Sequence, residues 1–140
     1  MAKYKAYEGY ETDEPPKIPK PDVLPEPKIV RVQDGIPLQF PPCEGAAVRV
    51  LHPTNPKAPS QSFGITMLYM PPHSVLQTAS HEPEECYTVL EGAGEMTFIN
   101  GKQTVKKGDF IYLPPWALHG IENTSDEMLV VQVTTSPTNP

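Results

Sequence analysis

Between Phe63 and Thr134 no single apolar pattern persists for long. Stretches of eight residues or fewer, rich in Val, Ile, Tyr, Phe and Thr, are cut apart by Gly, Pro, Asn and Asp, and no run of ten or more carries a capped helical period. Short strands at close spacing with turn signals between them favour a sandwich or a barrel. The expected strands are Phe63–Met70, Val75–Ser80, Cys86–Leu90, Glu95–Ile99, Gln103–Lys106, Phe110–Leu113 and Met128–Thr134. Asn100-Gly101 is a dipeptide favoured in two-residue hairpin loops. Upstream, Ile29–Val32, Ile36–Phe40 and Ala46–Leu51 read as shorter strands. Residues 52–61 read as a loop through Pro53, Asn55, Pro56 and Pro59. Within Phe63–Met70, alternation sets Ile65, Met67 and Tyr69 on one face and Thr66, Leu68 and Met70 on the other. The expected class is all-β, an antiparallel barrel whose closed shape protects its strand edges.

Residues 1–28 are different in kind. Pro15, Pro16, Pro19, Pro21, Pro25 and Pro27 fix φ and remove donors, which argues against a helix or a central strand. The segment reads as an extended Pro-rich N-terminal arm, either solvated or laid across a partner subunit with Tyr4, Tyr7 and Tyr10 on a groove. The division is 1–28 arm, 29–135 barrel and 136–140 a frayed tail. A chain of 140 residues is the size of one domain.

Net charge is −6, and residues 33–140 carry the whole imbalance, with five basic and eleven acidic side chains. No basic patch suited to nucleic acid is visible. The same field would not draw an anionic substrate inward, so an anion would need a local partner such as Arg49. No apolar run approaches the length of a membrane span, and the N-terminus lacks a secretory apolar stretch, which points to the cytoplasm. Cys43 and Cys86 read as reduced thiols rather than a disulfide framework.

Two half-motifs flank Asn100-Gly101. The first is Ala79-Ser80-His81-Glu82-Pro83-Glu84-Glu85, followed by Gly92. The second is Gly108, then Pro114-Pro115-Trp116-Ala117-Leu118-His119, then Asn123. This pattern resembles the cupin family of small β-barrels, over roughly residues 60 to 135. That family's second pattern is Gly, five residues, Pro-x-Gly, two residues, His, three residues, Asn. Gly108, Pro114, His119 and Asn123 fall in register, and Trp116 replaces the inner glycine. Of the first pattern His81, Glu85 and Gly92 fit. His73 stands where the opening glycine belongs, and Ala79 stands where the first histidine belongs. The resemblance implies a double-stranded β-helix of the jelly-roll type. It also implies a homodimer whose barrels pair through their sheets and exchange N-terminal strands.

On a regular strand Gln77, Ala79, His81 and Glu85 share a face. The resemblance makes His81, Glu85 and His119 the metal ligands, with Gln77 as a candidate weak oxygen ligand in place of the missing imidazole. Two imidazoles and a carboxylate suit Fe(II) with open positions; Zn(II) and Mn(II) are the alternatives. Tyr69, Tyr87 and Trp116 are the expected substrate-binding wall. His73 and His52 read as structural or surface histidines. Spacing selects Glu85 over Glu84 as the inward carboxylate. The leading functional expectation is a metal-dependent enzyme acting on a small organic molecule, an Fe(II) dioxygenase of a chelating aromatic or keto substrate. A non-redox lyase, decarboxylase or isomerase is the second reading, and a non-catalytic small-molecule-binding barrel the third. Fold alone does not choose among them.

Overall fold

A computed structural model describes residues 4–7, 10–39 and 43–139, with the backbone alone for 4–7 and 10–12. Phe40 and the Pro41-Pro42 break lie outside the described residues, as do the side chains of Tyr4, Tyr7 and Tyr10. In the arm, β1 (Tyr4–Tyr7) and β2 (Tyr10–Thr12) pair antiparallel with each other. Residues 13–29 follow as exposed, irregular chain.

The barrel is formed by ten further strands: β3 (Ile36–Leu38), β4 (Ala46–Leu51), β5 (Gly64–Met70), β6 (Val75–Ala79), β7 (Glu84–Glu91), β8 (Ala93–Phe98), β9 (Gly101–Lys106), β10 (Phe110–Leu113), β11 (His119–Glu122) and β12 (Leu129–Ser136). They form two antiparallel sheets, one of six strands in the order β10-β7-β12-β5-β4-β3 and one of four in the order β6-β11-β8-β9. This is the all-β double-stranded β-helix that the turn-punctuated sequence implies.

The period of two is clearest in β12, where Leu129, Val131, Val133 and Thr135 are buried and the residues between them are not fully covered. Met70, Val89, Met96, Leu129 and Val131 have almost no exposure and fill one end of the barrel. Each such side chain contributes about 1.5–3 kcal/mol by leaving water. Following β7 from Val89 through Tyr87 to Glu85, or β12 from Val131 through Val133 to Thr135, leads out of this packed end into a cavity of about 460 Å³. The tight β7–β8 connection depends on Gly92. Its φ of +81° is left-handed, and a Cβ there would strike the Met128 carbonyl oxygen and come within 3.2 Å of Leu129 Cα.

Two sequence expectations are corrected. Ile29–Val32 is not a strand. Ile29 is 89% exposed with no ladder partner, and Val32–Asp34 forms a single 3-10 turn in which the Asp34 carboxylate accepts from the Arg31 N–H at 2.9 Å. Here the β-branched composition is overridden by that local acceptor. Nor is the C-terminus frayed. β12 runs to Ser136, and the Asn139 carbonyl lies 2.6 Å from Nε2 of the buried His52. A buried imidazole needs that acceptor.

Candidate metal centre

β7 carries Glu85 and Tyr87 on its inward face, both buried at 5% and 3% exposure. His81 sits in the turn that leads into β7, and His119 opens β11 in the facing sheet. The folded barrel therefore brings together residues 34 to 38 positions apart. Glu85 Oε1 lies 2.7 Å from His81 Nε2 and 3.0 Å from His119 Nε2. The imidazole rings meet edge to face with centroids 5.0 Å apart. One ligand atom from each residue falls within a sphere in which all lie within 4.8 Å of one another.

Backbone carbonyls fix the chemistry of this cluster. His81 Nδ1 lies 3.0 Å from the Pro83 carbonyl, and His119 Nδ1 lies 2.8 Å from the Ala117 carbonyl. A carbonyl only accepts, so each Nδ1 carries the proton and each neutral ring turns an Nε2 lone pair toward Glu85. Three acceptors then converge on one buried point. Such a set is repulsive unless a cation sits among them, either a proton or a metal ion. The donor set and its outer-shell carbonyls fit a divalent metal.

The electrostatics agree with this. Burial works to lower the pKa of His119, but it is outweighed by the hydrogen bond to Glu85, the Ala117 carbonyl and the Glu85 charge, so the net direction is up. Tyr87 lies edge-on to His119 with ring centroids 5.7 Å apart. Burial and then the Glu85 charge hold its phenol well above its ordinary value, so it stays protonated.

The position of the missing histidine is also resolved. Ala79 lines the cavity and is the strand partner of His119. An imidazole there would face the cluster; a methyl leaves that side open. Ala79 is brought opposite His119 by a bulge in β6, where Leu76 to Ala79 span the same length as Ile121 to His119. The bulge lets both Leu76 and Gln77 line the cavity. It presses Thr78 onto Gly120, where a Cβ would lie 2.9 Å from Thr78 N and 3.0 Å from its Cα. Gly120→Ala must therefore push the β6 backbone away. The expected cost is about 1–3 kcal/mol, with weakened metal affinity, measurable by thermal melting and metal titration. An unchanged melt would show that the bulge yields freely.

Several expected site residues fall elsewhere. Gln77 lines the cavity but stands outside the converging cluster. Tyr69 is not part of the cavity wall. Thr66 and Leu68 are the β5 residues that face inward, so Tyr69 shares the opposite face with Met67. Trp116 is 63% exposed and is likewise absent from the lining. Its φ of +67° turns it outward, while its backbone N–H donates to the His81 carbonyl at 2.8 Å and its carbonyl accepts from Ser80 Oγ at 2.7 Å. Trp116 thus ties the two half-motifs together through its backbone rather than its ring. His73 is a surface turn residue, with Nε2 3.1 Å from Asp126. Glu84 faces outward and accepts from the Tyr112 hydroxyl at 2.7 Å. His52 is buried at the cavity wall, 2.7 Å from Thr54 Oγ1, a placement that its loop context did not reveal.

The family model for the cupin domain matches residues 66–135. The chain belongs to the cupin family. An uncharacterized protein of Methanocaldococcus jannaschii is 38% identical over 89 residues, covering 63% of this cupin and 70% of that protein. Gentisate 1,2 dioxygenase 1 of Aquipseudomonas alcaligenes is 34% identical over 88 residues, covering 59% of this cupin but only 25% of the dioxygenase. Among solved structures, the polyketide cyclase RemF from Streptomyces resistomycificus superposes with a TM-score of 0.70 at 18% identity, covering 82% of each chain. A predicted oxalate decarboxylase from Thermotoga maritima gives 0.66 at 21% identity, covering 79% of this cupin and 99% of that chain. At these identities the two structures establish the fold. The two slots where this cupin departs from the pattern's glycines, His73 and Trp116, both keep positive φ, +66° and +67°. The backbone that favours glycine is retained without it, at about 1–2 kcal/mol per position.

Proposed function

We propose that this cupin is a metal-dependent enzyme acting on a small organic molecule. His81, Glu85 and His119 hold a divalent metal, and Fe(II) dioxygenase chemistry on a chelating aromatic or keto substrate is the leading activity. The observation that carries this reading is the convergence of two Nε2 lone pairs and one carboxylate oxygen, with both imidazole tautomers fixed by backbone carbonyls. The identity shared with a gentisate dioxygenase over 88 residues supports the reaction class.

Fe(II), when bound, supplies redox chemistry and positions open to substrate and oxygen. The protein's own residues have separate tasks. The Pro83 and Ala117 carbonyls orient the imidazoles, and Ala79 keeps one side of the cluster unobstructed. Leu68, Leu76 and Val133 form an apolar wall that excludes water. Tyr87, held protonated, donates a hydrogen bond to a substrate oxygen beside His119. Gln77 faces the substrate as a neutral amide.

Iron-loaded protein is expected to consume oxygen with a member of a panel of catechols, diketones and hydroxyketones, and zinc-loaded protein is not. No uptake across the panel would sink the dioxygenase reading. The protonated Tyr87 also favours a second reading, in which Zn(II) or Mn(II) acts as a Lewis acid and the phenol serves as proton donor in a lyase or isomerase. Turnover without oxygen consumption would mark that outcome.

A further inference from the structure

We infer that Arg49 forms a carboxylate-binding subsite across the cavity from the His81–Glu85–His119 cluster, so that the substrate is an organic acid with its carboxylate and its chelating oxygens at separate ends. The chelating end rests on the metal reading above; the carboxylate end does not.

The placement follows from strand register. Tyr87 on β7 pairs with Val133 on β12, Val133 with Thr66 on β5, and Thr66 with Arg49 on β4. These four residues form one row across the six-stranded sheet, and all line the cavity. Neighbouring strands lie about 4.8 Å apart, so three intervals put roughly 14 Å between the two ends of the row before curvature shortens it. Val133, Leu68 and Ala47 make the stretch between them apolar. The reach of an arginine side chain leaves space for a molecule of about one ring between its guanidinium and the cluster.

The charge pattern makes Arg49 distinctive. Of the five basic residues in 33–140, Lys57, Lys102 and Lys107 form surface ion pairs with Asp34, Glu95 and Glu91, and Lys106 is exposed. Arg49 is the single Lys or Arg among the described residues that line the cavity. Burial lowers its pKa from the ordinary value, yet a guanidinium stays charged throughout the working pH range. A partly desolvated cation in a protein of net charge −6 gives an anion a local partner that the overall field denies it. Its five donors in a planar fork match a carboxylate in two-point contact, whatever else one of them touches. A phosphate dianion would require more positive charge than this one side chain, flanked by the neutral Thr66 and Gln77, provides.

The test uses 3,4-dihydroxybenzoate and catechol, which share the chelating pair and differ in the remote carboxylate. Each is titrated calorimetrically into zinc-loaded and metal-free protein. Wild type is expected to bind the acid about tenfold or more tightly than catechol, the scale of a charge-assisted pair. R49Q is expected to lose that preference and keep its affinity for catechol, which also reports that the variant is folded. R49K, retaining charge without the fork, keeps part of it. Equal binding of the two compounds by wild type, a preference that survives in R49Q, or no binding of the acid at millimolar concentration overturns the subsite. The metal reading fails separately. If zinc improves neither compound while the Arg49-dependent preference persists, the carboxylate subsite stands without a metal centre.

Discussion

A His119→Ala variant is expected to lose stoichiometric divalent metal that the wild-type protein retains or takes up. Removing an outer-shell partner of a metal-bound histidine costs roughly 10- to 100-fold in affinity, and removing a ligand itself must cost more. The alanine also leaves Glu85, 5% exposed, facing only one imidazole. Metal analysis after purification without chelator or affinity-column metal checks this, followed by titration with Fe(II), Mn(II) and Zn(II). Wild-type protein that takes up none of the three would remove the metal centre. Acidity supplies a second readout. In metal-free protein the raised pKa of His119 means that its protonated form is held in the fold by Glu85. That stabilisation is fully present below the unfolded histidine pKa and is lost as pH rises through the raised folded value. Metal competes with the proton for the same Nε2 lone pair, so the gain in Tm on adding metal should grow with pH across the same window. A metal-induced gain that shrinks with rising pH would contradict the assignment.

Asn123→Ala is expected to produce the largest loss of stability from a side chain outside the centre. Asn123 is fully buried, and its Nδ2 donates to the Met70 carbonyl at 2.9 Å and the Glu127 carbonyl at 2.7 Å. Its Oδ1 accepts from the Ser125 N–H at 3.0 Å and the Ser125 hydroxyl at 2.8 Å. One amide therefore clamps the end of β5 to the turn before β12. Leaving buried carbonyls without a donor costs about 1–3 kcal/mol each, so the variant should lose about 2–5 kcal/mol. Against a whole-domain stability of about 5–15 kcal/mol, that is a fall in Tm on the order of 10 °C. Asn123→Asp should do no better, because it aims an acceptor at two acceptors. Differential scanning calorimetry measures both. Metal stoichiometry below the melting range should be unchanged, which separates the clamp from the ligands. A melt within a degree or two of wild type would show that the clamp is not made.

Asn123 shows what the sequence made legible. Gly108, Pro114, His119 and Asn123 sit at spacings that only a particular turn and strand satisfy, so position along the chain sufficed to place them. The same held for His81 and Glu85, and for choosing Glu85 over Glu84. Tyr69 was not legible, and β5 shows why. Alternation divides a strand into two faces but does not say which one looks inward, and both faces of β5 are apolar. Thr66 and Leu68 line the cavity, while Ile65 and Met67 share an outer groove with Val30 and Arg31. A strand covered on both sides carries no polar stripe to mark the outside. Trp116 failed for another reason. Its size suggested a wall, but its direction is set by a backbone angle that a non-glycine residue does not announce. β11 was hidden by brevity, four residues with a glycine inside, and that glycine is what the bulged β6 packs against.

The return of the chain's last residues to the cavity has a practical consequence for anyone handling this protein. Thr135 and Asn139 both line the cavity, and Asn139 is held there by His52. Anything fused after residue 140 is thus tethered within a few residues of the cavity wall. A polyhistidine tag placed there would bring a string of free imidazoles within reach of a cluster that owns two, and metal found in such a preparation would report the tag as readily as the protein. Purification handles belong at the other terminus, beyond the proline-rich arm.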